Sequence, residues 1–239
     1  MTTATASDLT VPLIGGRHHF LLRRLHSLTG LIFGGYLIVH LIVNACLIQG
    51  FAQHDVYQAQ VDKIHSLPFL LGVEWAFIFA PIIYHGIYGL WITFTAQWNV
   101  GRYPFEKNWF YVFQRISALI LVAFILFHVL GMKGFFGPTL TFDPEHATGT
   151  TARHINSSWL VAYLVYPLGI LASAYHTANG FWSAGITWGL TTSADSQARW
   201  GKVCAGLFVL LLVCGGVALV AIIGDSSHVS ELLNTLPRR

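Results

Sequence analysis

Five long stretches of the chain are apolar almost without interruption, at about residues 26–48, 70–96, 112–132, 157–182 and 201–224, and the polar residues gather between them. A helix needs about 20 mainly apolar residues to cross the hydrocarbon core of a bilayer. The pattern therefore predicts an all-α bundle of five transmembrane helices, forming a single membrane domain over residues 1–239. The interiors of the five segments are almost free of charge. Glu74 and Arg115 fall in first turns on this reading, where a side chain reaches the interface. Trp75, Trp98, Trp109, Trp159 and Trp200 stand near segment ends, as an aromatic belt does. No apolar run precedes residue 26, so nothing reads as a cleavable signal peptide and the first span itself directs insertion.

Composition agrees with a membrane protein. Charged residues make up 10% of the chain and apolar ones 54%, against about 25% charged in a soluble domain. A net charge of +3 is too small for a nucleic-acid footprint. Cys46, Cys204 and Cys214 lie in or beside apolar segments and form neither a CxxC nor a Cys/His cluster, which leaves no iron–sulfur or structural zinc site. Neither GxGxxG nor GxxxxGK[ST] occurs, so no nucleotide or flavin dinucleotide site is visible.

The connections set the orientation. Arg17, Arg23, Arg24, Arg102, Lys107, Arg115, Arg199 and Lys202 fall on one side, against Lys63, Lys133, Arg153, Arg238 and Arg239 on the other. The positive-inside rule then puts the N-terminus in the cytoplasm and the C-terminus outside. The long connections 49–69 and 133–156 face outward, and turn signals such as Gly137-Pro138 leave open whether each forms a short interfacial helix or caps the bundle.

Four of the twelve histidines lie deep inside spans: His40, His85, His128 and His176, each about 14–19 residues past the start of its helix. Successive helices run in opposite directions, so equal offsets mean opposite depths. His40 and His128 fall near the outer side, and His85 and His176 near the cytoplasmic side. A rise of 1.5 Å per residue puts the two levels roughly 10–15 Å apart. A haem iron takes two axial ligands, and facing imidazoles from separate helices supply both.

The flanking residues repeat as well. Tyr84-His85 and Tyr175-His176 both continue as His-x-x-x-Gly-x-Trp, with Gly89 and Gly180 on the histidine's face, where a missing side chain admits a macrocycle. Arg24 and Arg115, at cytoplasmic span ends, suit propionates of an inner haem as well as they suit positive-inside anchors. His26, in the first turn of the first span, reads as a capping or interfacial residue within reach of a propionate. His18, His19, His54, His146, His154 and His228 read as solvated. A lone intramembrane histidine is often a hydrogen-bonded packing residue, but four at matched offsets on consecutive helices favour a cofactor.

The segments Arg23-Arg24-Leu25-His26-Ser27-Leu28, His40-Leu41-Ile42-Val43-Asn44, Ser66-Leu67-Pro68-Phe69, Tyr84-His85-Gly86-Ile87-Tyr88-Gly89, Gln114-Arg115, Asn179-Gly180-Phe181-Trp182-Ser183 and Thr187-Trp188-Gly189 carry a resemblance. The chain resembles the cytochrome b558 membrane anchors of succinate:quinone oxidoreductases, of the single-chain di-haem type, over about residues 20–220. The resemblance implies two haem b, the outer on His40 and His128 and the inner on His85 and His176. It implies a place in the inner (cytoplasmic) membrane, with a flavoprotein and an iron–sulfur subunit docked on the cytoplasmic face. It also implies menaquinone as electron acceptor, for which His65, Glu74 and Asp62 are the candidate residues near the outer haem. Related di-haem fumarate reductases have a glutamate two residues before the fourth ligand, where this chain has Ala174. The path of compensating protons that such a residue serves is then expected to be missing. Two other readings remain: a cytochrome b serving a hydrogenase or formate dehydrogenase, and a transporter with a histidine proton relay. The second would favour additional intramembrane acids, which this sequence almost lacks.

Overall fold

The computed structural model describes residues 16–49, 55–97 and 100–224. Among them every regular element is a helix, with no strand. We number the helices α1 (Gly16–Ala45, followed by a 3₁₀ turn Cys46–Gln49), α2 (Val56–His65), α3 (Leu70–Thr95), α4 (Glu106–Met132) and α5 (Ala147–Ile155). Next come α6 (Tyr166–Thr187, entered through a π turn Val161–Val165) and α7 (Ala194–Gly224). His54, Trp98, His228, Arg238 and Arg239 lie outside the described residues.

Four helical segments, His18–Ile48, Leu70–Thr95, Glu106–Met132 and Ala194–Ile223, are long and apolar enough to cross a membrane. The helix α6 falls short on composition for a structural reason. It packs between α4 and α7, and Gly169, Ala172, Ser173, Ala174, Thr177, Ala178, Ala184 and Gly185 on it are buried. Neighbouring side chains fill the notches these small residues leave. Phe124 lies against Gly169, and Trp200 against Gly185, where its indole donates to the Phe181 carbonyl at 3.0 Å. Helices in lipid gain by such close packing of small residues. A helix shielded by its neighbours also has less need of an apolar surface.

Three helices start before the apolar windows do, at Gly16, Glu106 and Ala194. Their first turns are polar and continue the helix beyond the apolar stretch. Arg115 is consequently well inside α4 rather than in a first turn, and it is buried, with 4% of its surface exposed. That corrects the interfacial placement. Two π turns interrupt the long helices, Trp75–Phe79 in α3 and Val161–Val165 before α6, each closed by a bond five residues back. Both stand just ahead of a proline, Pro81 and Pro167. A proline lacks an N–H and crowds the carbonyl four residues earlier, and a widened turn relieves both problems.

The two long connections fold into a cap. Asp55 caps α2 by accepting from the Gln58 amide at 2.9 Å and also accepts from the Thr148 hydroxyl at 2.6 Å. Such a cap is worth about 1 kcal/mol. Gln58 ties α2 to α5 through the Pro144 carbonyl (2.6 Å) and the Ala147 amide (2.7 Å). The helix α5 is almost wholly buried, so this connection plugs the end of the bundle.

Candidate functional site

The four deep histidines come together in two pairs. The ring centroids of His40 and His128 are 6.1 Å apart with planes at 73°, and those of His85 and His176 are 6.1 Å apart at 88°. Two imidazoles sharing one transition metal at a bond length of about 2 Å, with each nitrogen about 1.1 Å from its ring centre, stand roughly 6 Å apart. Both pairs match that span, and each joins two separate long helices: α1 with α4, and α3 with α6.

The other ring nitrogens are engaged. His85 Nδ1 lies 3.0 Å from the His26 carbonyl, and His176 Nδ1 lies 3.2 Å from the Gln114 carbonyl and 3.2 Å from the Ser117 hydroxyl. A carbonyl only accepts, so both rings carry their proton on Nδ1 and keep the Nε2 lone pair for a metal. His128 Nδ1 pairs with the Tyr166 hydroxyl at 3.1 Å. His40 is less clear-cut: its Nδ1 is 3.3 Å from the Tyr36 hydroxyl, but the Asn44 amide also stands 3.4 Å from Nε2. The firm bond of Asn44 is to the His40 carbonyl at 2.7 Å, which leaves Nε2 only weakly engaged. All four residues are half-buried.

The surrounding residues fall partly elsewhere than the spacing suggested. His26 stacks on His85, with centroids 4.0 Å apart and planes at 11°, and its Nδ1 is buried without a hydrogen-bond partner. A Cβ on Gly89 would meet His26 at 3.2 Å, whereas one on Gly180 would make an ordinary 3.7 Å contact with Gln114. The glycine that makes room for a paired histidine is Gly30, where a Cβ would stand 2.5 Å from His85 Cε1. The sequence reading missed Gly30, although it lies one helical turn after His26. Arg24 rests over the rings of Trp188 (4.9 Å) and Phe20 (5.0 Å). Arg115 lies over the Tyr111 ring at 3.9 Å and donates to its hydroxyl. Its place in α4, between Gln114 and Ser117, puts it at the level of His176.

At the other end, Asp62 and His65 are exposed on α2, and Asp62 accepts from Gln58 at 2.8 Å. Glu74 is half-buried just ahead of the first π turn. Among the described residues none of the three hydrogen-bonds a paired histidine. Of the histidines read as solvated, His18 and His146 are exposed, and His19 packs edge-on to Trp91 at 5.7 Å. His154 is a correction. It is 1% exposed, because α5 turns inward as the plug instead of lying in solvent. Burial holds its imidazole below the ordinary histidine range, a shift that the Leu140 backbone partly offsets. Beyond that approach to the Leu140 backbone the ring nitrogens have no partner, a condition that costs about 1–3 kcal/mol in a buried group.

The bundle thus holds two pairs of facing imidazoles, with the tautomer fixed by backbone carbonyls in the His85/His176 pair. Ala174, two residues before His176, is fully buried beside Leu41 and Leu211. No protein-family model matches the chain. It is 34% identical over 213 residues to the succinate dehydrogenase cytochrome b558 subunit of Bacillus subtilis (strain 168), a match that covers 88% of this chain and 100% of that one.

Proposed function

The chain belongs to the succinate dehydrogenase cytochrome b558 subunit family, and from that premise we propose that it is a di-haem membrane anchor passing electrons to menaquinone. In this reading it crosses the membrane five times from a cytoplasmic N-terminus, with α6 as the fourth span. A flavoprotein and an iron–sulfur subunit dock on the cytoplasmic face, where succinate is oxidised. The outer haem b lies between His40 and His128 and the inner one between His85 and His176. The observation that carries the reading is the matched 6.1 Å separation of the two histidine pairs. The engaged Nδ1 atoms support it further.

When bound, each haem supplies a one-electron carrier. The protein's part is to hold and tune it. The His26 and Gln114 carbonyls orient the inner ligands, and Tyr36 and Tyr166 orient the outer ones. Arg115, with Arg24 and His26 nearer the cytoplasmic end, places positive charge and donors where propionates need them. Asp62, His65 and Glu74 are the candidate proton donors for quinone near the outer pair.

Tagging the chain and purifying it from its native membrane tests the assignment of partners. A flavoprotein and an iron–sulfur protein should accompany it, and succinate should reduce the haem absorbance. Copurification of a hydrogenase or formate dehydrogenase instead would favour the alternative cytochrome b reading. The tuning role of Tyr166 has its own expected result. Removing the hydroxyl in Tyr166→Phe lowers the basicity of His128, so the outer haem should shift to a more positive potential and bind about 10–100-fold more weakly. The inner haem should be unmoved in the same redox titration.

Ala174 sets a further expectation. With no ionisable group at that buried position, electrons cross without a compensating proton along this route. In sealed vesicles, quinone reduction by succinate should then respond to the membrane potential. Proton transfer that fully cancels the electron movement would contradict this.

A further inference from the structure

Among the described residues two basic side chains are buried, and they belong to opposite levels of the bundle. Arg115, 4% exposed, lies on α4 beside Gln114 and Ser117, which hold His176. His154, 1% exposed, lies on α5 against Gly131, which stands three residues beyond His128 on α4. Three residues along a helix share a face and are about 4.5 Å apart along its axis. His154 therefore sits just outward of the His40/His128 pair. Its ring stands edge-on to Tyr166, at 6.1 Å and 78°, and Tyr166 is the residue that pairs with His128 Nδ1.

Two observations separate this histidine from ordinary packing. Neither ring nitrogen has a well-formed hydrogen bond, the Leu140 backbone alone coming near, yet a neutral imidazole always presents one N–H donor and one acceptor. Turning one nitrogen to the nearby Leu140 backbone would still leave the other unsatisfied. In addition, a Cβ on Gly131 would collide with the imidazole, so α4 is cut away at the point where the ring enters. An apolar side chain would fill the same notch without needing any acceptor. Among the described residues no side chain supplies an acceptor to this ring. The cations of the outward connections do not reach inside: Lys63 and Lys133 are exposed, and Arg153 donates to the Thr139 carbonyl at 3.2 Å.

We propose that His154 donates an N–H to a propionate carboxylate of the outer haem, the part that Arg115 takes for the inner one. The proposal rests on the reading that His40 and His128 bind a haem. A haem b carries two carboxylates that must be accommodated, and a donor held in an apolar wall meets one of them with a charge-assisted bond. Such a bond reduces the negative charge felt at the iron. Its loss therefore favours the oxidised haem and lowers the potential, the opposite sign to the effect expected of Tyr166→Phe.

The test compares His154→Leu, His154→Gln and Gly131→Ala in the intact complex, by haem stoichiometry, redox titration and electron paramagnetic resonance of each haem. His154→Leu should lower the outer midpoint potential and weaken outer-haem retention by about 10–100-fold, with the inner haem unchanged. His154→Gln keeps an N–H donor and should restore most of the loss, while Gly131→Ala, which drives the ring away, should reproduce it. If His154→Leu fails to assemble, Gly131→Ala alone decides. An outer haem at its wild-type potential and retention in that variant overturns the proposal. So does a rise in potential, or a loss of quinone affinity with the outer haem unaltered, which would assign the ring to a quinone carbonyl. A wild-type complex without an outer haem would instead sink the reading beneath it.

Discussion

Replacing His176 with leucine should remove the proposed inner haem and leave the outer one in place. The His176 ring is fixed by the Gln114 carbonyl at Nδ1, and its centroid stands 6.1 Å from that of His85. Without it the inner site keeps a single imidazole, and no other described histidine of the bundle lies opposite His85 to replace it. His26 cannot substitute in that position, because it stacks flat on His85 instead of facing it. Haem content should fall from two to about one per chain, and His85→Leu should behave alike. Succinate-dependent quinone reduction should drop at least roughly a hundredfold, while oxidation of succinate by the partner subunits with a soluble dye persists. His40→Leu and His128→Leu should remove the other haem. Loss of the same haem in all four variants would contradict the pairing.

Gly30→Ala should be nearly as damaging, though residue 30 is not a ligand. The added methyl would stand 2.5 Å from His85 Cε1 and 2.7 Å from Nδ1, well inside ordinary contact distance. The clash is with a ring held at 3.0 Å by the His26 carbonyl on the same helix, so either that bond breaks or α1 and α3 separate. Misplacing a metal-binding imidazole through its supporting contact typically costs 10–100-fold in affinity, and about that loss of inner-haem binding is expected here. Gly180→Ala is the control, since its methyl makes only a 3.7 Å contact with Gln114. Titrating haem into the purified, haem-depleted variants measures both. Equal binding by Gly30→Ala and Gly180→Ala would show that the close approach at His85 does not govern the site.

Much of the architecture could be read from hydrophobic runs, because lipid forces each crossing segment to satisfy its own backbone. The departures have physical causes. The polar first turns of α1, α4 and α7 continue helically beyond the apolar windows, so Arg115 moved from an expected first turn into the protein interior. The helix α6 hides its small, polar-tinged face among neighbours, a fact that local hydropathy cannot register. Period and offset were enough to pair the four deep histidines by depth, since antiparallel helices convert equal offsets into opposite levels. What lines the pairs was less legible. The close approaches of Gly30 to His85 and Gly131 to His154 depend on which helices meet, and that is set by tertiary packing. Gly131 stands three residues after His128, one short of the His-x-x-x-Gly spacing that follows His85 and His176, so that pattern does not pick it out. His154 looked solvated because it lies in a polar connection, and its burial follows from α5 folding inward.

The most direct measurement of the central claim is a reduced-minus-oxidised spectrum of the purified complex, with haem quantified per chain. Two b-type haems per chain, both reducible through the succinate-oxidising partners, is the result that two imidazole pairs predict. A colourless chain, or one that never binds more than a single haem, would contradict it.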